Sequence, residues 1–221
     1  MKAFDYKKEY KDLYMPKPTP VLYEIPEMKF VSVQGYGDPN EENGAYHDAL
    51  QLLYGISFTI KMSPKNAVNI DGYFPYTVPP LEGLWWMLDQ SMPNFDSTST
   101  KKDFQWISMI RLPEFVTEDV FHWACEQFQK KHPEVDISKA SYMVLHEGLC
   151  AQMMHLGSYD QEAITIQQLH TFIQQQGYVC DYDGFYSTNQ HRRHHEIYLS
   201  DPRRSKPENL KTVIRLPIKR K

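Results

Sequence analysis

Near its C-terminal end the chain runs His194-His-Glu-Ile-Tyr-Leu-Ser-Asp-Pro202. Written as a β-strand, this segment puts His194, Glu196, Tyr198 and Ser200 on one face and His195, Ile197 and Leu199 on the other. The apolar face is expected to meet helices. A carboxylate, a phenol and an imidazole are then aimed together at a cleft on the opposite side. A carboxylate among aromatic groups has two uses: it pairs with a cationic or polarised ligand, or, once desolvated, it acts as a base toward water. An exposed sheet face carrying ordinary polar residues is the competing reading of the same pattern.

Trp85 and Trp86 stand together in Leu84-Trp-Trp-Met87. On a strand one faces the core and the other the cleft, so one indole is a candidate wall for an aromatic ligand. Glu147, in Leu145-His-Glu-Gly-Leu-Cys-Ala-Gln152, reads either as a site residue or as a strand residue beside a bulge at Gly148. Ser158 to Gln161 reads as a turn leading into a helix cap. His191, His194, His195 and Glu196 include the residue types of a metal site. Yet no H-E-x-x-H spacing is present, and neighbouring strand residues point to opposite faces, so no metal is expected. The arginines around this strand (Arg192, Arg193, Arg203, Arg204) have no glycine-rich loop to make a phosphate site. No G-x-S-x-G, P-loop or dinucleotide fingerprint occurs, and no cofactor is called for.

The elements that must position these residues follow from hydrophobic period and turn chemistry. Residues 1–27, punctuated by Pro16, Pro18, Pro20 and Pro26, read as an extended arm. Strands are expected at 28–34, near 73–78 and 84–88, at 104–111, 142–155, 194–200 and 210–218, with a polar loop over 93–100. Helices are expected at 44–61, at 161–176 ending on Gly177, and from the Thr117 cap to Pro133. Ile110-Arg-Leu-Pro113 recurs as Ile214-Arg-Leu-Pro217, 104 positions later. Each copy follows a strand carrying a glutamate, Glu82 or Glu196, so the order strand–helix–strand–strand appears twice. The expected fold is α+β: duplicated units forming antiparallel sheets, with helices on one face and a ligand cleft on the other. The domain is expected to span 28–218, in halves of about 28–113 and 140–218.

Composition bounds the function. The 221 residues are 41% hydrophobic and 24% charged, with a net charge of -4, which gives no cationic field for nucleic acid. Three cysteines without a C-x-x-C, and no long apolar run, fit a soluble cytoplasmic protein without membrane contact. Aromatic residues reach 14%, with 15 Tyr, 11 Phe and 4 Trp, which suits a pocket for a flat hydrophobic small molecule. Oligomeric state is not legible at this level.

Four segments carry a family resemblance: Val78-Pro-Pro-Leu-Glu-Gly-Leu-Trp-Trp86, Glu147-Gly-Leu-Cys-Ala-Gln152, His155-x-Gly-Ser-Tyr159 and His194 through Arg204. Together they resemble the stand-alone GyrI-like small-molecule-binding proteins, over about residues 4 to 218. The resemblance implies the duplicated fold and a drug-sized ligand. Some stand-alone members hydrolyse cyclopropane-bearing DNA-alkylating natural products. By that resemblance Glu196 orients or deprotonates water, and Tyr198 or Tyr159 hydrogen-bonds the ligand carbonyl. Trp85, Trp86 and Tyr142 sandwich its rings, and Glu147, His155 and His194 join the ligand contacts. A non-catalytic binder, with Glu196 as counter-ion, is the alternative. Where the family usually has Pro in the third segment, this chain has Ser158.

Overall fold

The computed structural model describes residues 3–87, 101–186 and 191–221. The expected polar loop at 93–100 lies outside the described residues. Two short helical turns, α1 (Tyr6–Glu9) and α2 (Lys11–Tyr14), precede β1 (Val21–Tyr36), α3 (Ala45–Lys61), β2 (Leu81–Met87) and β3 (Phe104–Leu112). After α4 (Glu118–Lys131) come β4 (Ala140–Leu156), α5 (Glu162–Gln175), β5 (Tyr178–Cys180), β6 (His194–Tyr198) and β7 (Lys211–Arg220). The order strand–helix–strand–strand is thus present twice, with α4 between the copies.

The strands run β4-β1-β3-β2-β6-β7, every pair antiparallel, and β7 also pairs with β4, so the sheet closes into a barrel. Alternation then sorts side chains to two cores. Phe30, Leu84, Met109, Ile197 and Val213 point inward, where Tyr6, Leu13 and Tyr14 of the arm join them. Outside, the Leu52, Leu53, Ile56 and Ile60 stripe of α3 covers Val31, Val33 and Ile110, and Phe121, Ala124 and Phe128 of α4 pack beside it. Leu169 and Ile173 of α5 cover Ala151, Met153, Ile214 and Leu216.

Several sequence expectations are corrected here. The arm is partly helical, because its prolines begin only at Pro16 and leave residues 6–14 free to turn. The segment 73–78 is no strand; it makes one parallel bridge, Tyr76 to Phe4. β1 starts at Val21 and runs through Pro26. Opposite Ile25, the residue before that proline, Gly148 adopts φ +66°, a conformation that favours glycine. No residue is inserted, so this is a kink and not a bulge. Inward-facing positions switch from even to odd in β1 (Phe30, then Ile25) and from odd to even in β4 (Leu145, then Cys150) at the same level. Both strands change face together, and their register is kept. Arg192 binds the carbonyls of Glu147 and Leu149, at 2.5 and 2.9 Å, on either side of the kink. The two repeat glutamates are not counterparts either. Ile110 pairs with Leu81 and Ile214 with Glu196, so Glu82 matches Ile197 and faces inward while Glu196 faces out.

Candidate functional site

α3 lies over β1 and β3, and α5 over β4 and β7, which leaves the outer faces of β2 and β6 between the two helices. Into that gap point Trp85 from β2 and Glu196 and Tyr198 from β6. The expectation that the apolar face of β6 meets the helices is therefore corrected. His195 and Ile197 enter the barrel, whose interior is itself an apolar partner, and the carboxylate sits on the helix-bearing side. Tyr46 of α3, Phe104, Tyr159, and Glu162 and Ile166 of α5 complete a cavity of about 260 Å³.

One hydrogen-bond chain fixes the floor of this cavity. Trp85 Nε1 donates to the Tyr198 hydroxyl at 2.8 Å, which donates to Glu196 Oε2 at 2.7 Å. His194 Nε2 lies 2.8 Å from Glu196 Oε1, so the tautomer protonated there donates to the same carboxylate. Gly83 makes the first link possible. A Cβ at that position would stand 2.5 Å from Trp85 Nε1, so only glycine lets the indole lean toward Tyr198. Tyr198 lines the cavity. Burial first, then the Glu196 charge, push its pKa well above the ordinary phenol value and keep the hydroxyl a donor. The Tyr159 ring stands edge-on to Tyr198 at 5.9 Å, and burial with nearby carboxylates pushes its pKa up to about 12.

Glu162 is the residue that the sequence did not single out. It opens α5, is 8% exposed, and its Oε1 meets no hydrogen-bond partner among the described residues. Burial, and then the neighbouring Glu196, raise its pKa well above the ordinary carboxylate value, against the pull of the Thr212 hydroxyl. The cavity thus carries a carboxyl group held by two donors beside a second, buried carboxyl group whose proton is held more tightly than an ordinary glutamate's. Tyr46, read in sequence only as part of a helix stripe, faces them from α3, its phenol also raised by burial. The only sequence signal for Glu162 was its position just after the capping turn.

The remaining sequence candidates lie elsewhere. Trp86, on the other face of β2 from Trp85, packs against the barrel interior with Arg193 over its ring at 4.8 Å. Tyr142 packs on Phe121 and donates to the Val116 carbonyl at 3.2 Å. His155 ties β4 to α5, with Nδ1 2.8 Å from Thr165 Oγ1 and Nε2 3.0 Å from the Ser158 carbonyl. Glu147 is inside the barrel, continuing the inward alternation of Met143 and Leu145 just before the kink at Gly148. Its Oε1 is 2.9 Å from His195 Nδ1, and its Oε2 accepts from Arg215 Nη1 at 2.6 Å. Burial works against its charge, yet His195 and Arg215 hold it down at about 2. Of the sequence candidates, Trp85, Tyr159, His194, Glu196 and Tyr198 come together. His194 and His195 face opposite ways, and among the described residues no group of three or more His, Cys, Asp or Glu is placed to hold a metal ion. Nor is any described helix long and apolar enough to cross a membrane.

Comparison with known proteins agrees with this architecture. A hydrolase from Listeria innocua is 41% identical, covering 98% of this chain and 100% of its own, with a TM-score of 0.83. An uncharacterised conserved protein of the same organism is 43% identical over 98% of this chain and 100% of its own, with a TM-score of 0.86. A second Listeria innocua hydrolase is 42% identical over 99% and 100%, at a TM-score of 0.84. No functionally curated protein is significantly similar to the chain. Residues 18–219 match the model of one family across both copies of the repeat and the whole cavity, and the chain belongs to that family, the GyrI-like small molecule binding domain.

Proposed function

We propose that the protein binds a flat, hydrophobic, cyclopropane-bearing alkylating compound between α3 and α5 and opens its strained ring by adding water. The observation that carries this reading is the pair of carboxyl groups in one aromatic cavity: Glu196 accepts a hydrogen bond from Tyr198, and Glu162 is buried beside it with its pKa raised well above the ordinary carboxylate value. A ring-opening hydration needs both. Water forms a C–O bond at the cyclopropane carbon and gives its proton to Glu196. The strained C–C bond breaks, and its electron pair passes through the conjugated ring to the carbonyl oxygen. That oxygen takes the Glu162 proton and becomes a hydroxyl, and solvent returns the two carboxyls to their starting states. Because the electrophile is already strained, positioning plus one base and one acid suffices. Tyr198 has its proton committed to Glu196, so it serves as a positioning residue, and Tyr159 is the phenol left to face the ligand. The resemblance to stand-alone cyclopropanoid hydrolases and the two Listeria relatives described as hydrolases support the same reading.

The test is mass spectrometry of such a compound incubated with a small molar fraction of protein. Repeated formation of the water adduct, slowed about a hundredfold or more in Glu196→Gln, is expected. A compound that quenches tryptophan fluorescence yet stays intact would leave a sequestering binder and remove Glu196 from its catalytic role.

A further inference from the structure

The first turn of α5 decides where Glu162 and Tyr159 stand, and the usual means of fixing a helix start is missing there. Among the described residues, neither Gln161 at the N-cap nor Ser158, which precedes the single 3-10 turn Tyr159–Gln161, makes a side-chain cap hydrogen bond. The buried apolar anchors of α5, Leu169 and Ile173, come about two and three turns after Glu162 and hold the far end of the helix. The sheet beneath supplies the hold at the near end. His155 and Thr212 are partners in the β4–β7 ladder, and both face outward with Met153 and Ile214. Thr212 pairs in turn with Tyr198 of β6. One row across three strands thus carries the His155 imidazole, the hydroxyl that faces Glu162, and the phenol bound to Glu196.

His155 uses both ring nitrogens at this junction. The Ser158 carbonyl can only accept, so Nε2, 3.0 Å away, carries the proton and donates. Nδ1 then accepts from Thr165 Oγ1 at 2.8 Å. Thr165 lies one turn after Glu162, and Ser158 is next to Tyr159, so one buried ring holds both flanks of the pair. The chain folds back tightly to bring Ser158 there: Gly157 has φ +131°, and a Cβ on it would stand 2.8 Å from Gln161 Oε1. His155 itself is 4% exposed and is not part of the cavity wall.

We propose that His155 is a positioning residue: its imidazole, clamped between the Ser158 carbonyl and the Thr165 hydroxyl, sets Tyr159 against Tyr198 and Glu162 against Glu196. In this role it acts through those two residues and not by touching the ligand. The consequence for turnover rests on the hydration reading given above, whereas the placement of Glu162 does not. With the clamp released, the first turn of α5 lifts from the sheet and solvent reaches the Glu162 carboxyl, which then titrates closer to an ordinary glutamate.

Two variants test it. Thr165→Val keeps the shape of the side chain and removes one of the two hydrogen bonds, and His155→Ala removes both. The first readout is the gain in urea midpoint that Glu162→Gln brings between pH 4.5 and pH 8, measured in the wild-type, Thr165→Val and His155→Ala backgrounds. Glu196, Asp160 and Thr212, which face Glu162 from β6, the preceding turn and β7, are present in every background, so the comparison isolates the placement of Glu162. The gain is expected to shrink by about half in Thr165→Val and further in His155→Ala. A gain that stays the same in both, whatever the loss of overall stability, is the result of a merely structural histidine and overturns the proposal. So does the absence of any gain in the wild-type background. The second readout is turnover of the cyclopropane compound: His155→Ala is expected to lower kcat about tenfold with little change in KM. His155→Gln, whose amide nitrogen replaces the donor to the Ser158 carbonyl, is expected to recover part of it. A change in KM alone overturns the proposal. If the wild type does not turn the compound over, the hydration reading fails and the urea comparison decides the role of His155 by itself. If His155→Ala does not fold, Thr165→Val decides it.

Discussion

The replacement Glu162→Gln isolates the chemistry that the cavity imposes on one carboxyl group. The first turn of a helix ordinarily favours an ionised carboxylate, by at most about 2 kcal/mol even when partly buried. Against this, Glu162 is 8% exposed, its Oε1 is unpartnered among the described residues, and Glu196 lies close enough to repel it. Burying an uncompensated charge costs several kcal/mol, so burial and repulsion outweigh the helix end. The folded-state pKa of Glu162 therefore lies above its ordinary value of 4.5. For a carboxyl raised in this way, the stabilisation is complete below the ordinary value and is lost as pH rises through the folded one. The slope of that loss reaches about 1.4 kcal/mol per pH unit. Glutamine keeps the shape and cannot ionise. Urea unfolding of both proteins from pH 4.5 to pH 8 measures the difference, and subtraction cancels every group except Glu162 and those coupled to it, chiefly Glu196. The variant is expected to gain on the wild type as pH rises, then level off. Parallel profiles across the whole range would mean that Glu162 ionises as an ordinary surface carboxylate does, and the acid–base pairing in the cavity would be wrong.

Three further outcomes follow from the same geometry. Tyr198→Phe removes the hydroxyl between Trp85 and Glu196; a charge-assisted hydrogen bond of this kind contributes about 1.5–3 kcal/mol, so turnover should fall about tenfold to a hundredfold. The split between kcat and KM checks it, since a lost positioning contact lowers kcat. Gly148→Ala meets no atom closer than Glu24 Oε1 at 3.6 Å, so its cost is conformational alone, about 1–2 kcal/mol in a denaturant titration. Arg215→Met leaves Glu147 buried with His195 as its sole cationic partner and should cost about 3–5 kcal/mol. In the wild type, Glu147 contributes above its ordinary 4.5 and loses this as pH falls toward 2. His195, raised by Glu147 against burial, contributes below its ordinary 6.5 and loses this as pH rises. Stability from this network should peak between those two values, and in the variant the acid limb should move to higher pH.

The three long helices, α3, α4 and α5, were legible almost to the residue, because an apolar stripe of period 3.6 admits few alternatives. The Thr117 cap is present, its hydroxyl accepting from the Val120 amide at 3.3 Å. β1 was half read. Pro26 looks like a break in sequence, and only the three-dimensional pairing shows that it follows Ile25, the partner of Gly148, at a shared change of face. That change of face decides the residues after Glu147, so that Cys150 and not Leu149 points inward, while Glu147 itself follows the alternation of Met143 and Leu145. Within the site, Glu196 and Tyr198 were recoverable from strand alternation, which left open whether Trp85 or Trp86 faces the cavity. Glu162 and Tyr46 were not, since each sits on a helix where its type is ordinary. Both acquire a role only because α3 and α5 close over the same two strands, a tertiary relation without a local signature.

The two faces of β6 connect stability to function. Inside the barrel, His195 is gripped by Glu147 at 2.9 Å and lies 3.0 Å from Glu82, off the hydrogen-bonding direction on the second side. Glu147 is held in turn by Arg215, which reaches Gln152 and the Leu13 carbonyl, so β2, β4, β7 and the N-terminal arm all brace one imidazole. The next residue along the strand is Glu196, facing the opposite way. A five-residue strand pinned at its second residue holds the neighbouring carboxylate without relying on ligand contacts, and a preorganised charge is what a base acting on a strained electrophile requires. On this view the interior ion network, costly as it is to bury, is the support for the outer site. Loosening it with Arg215→Met should lower turnover by more than its loss of folded protein accounts for.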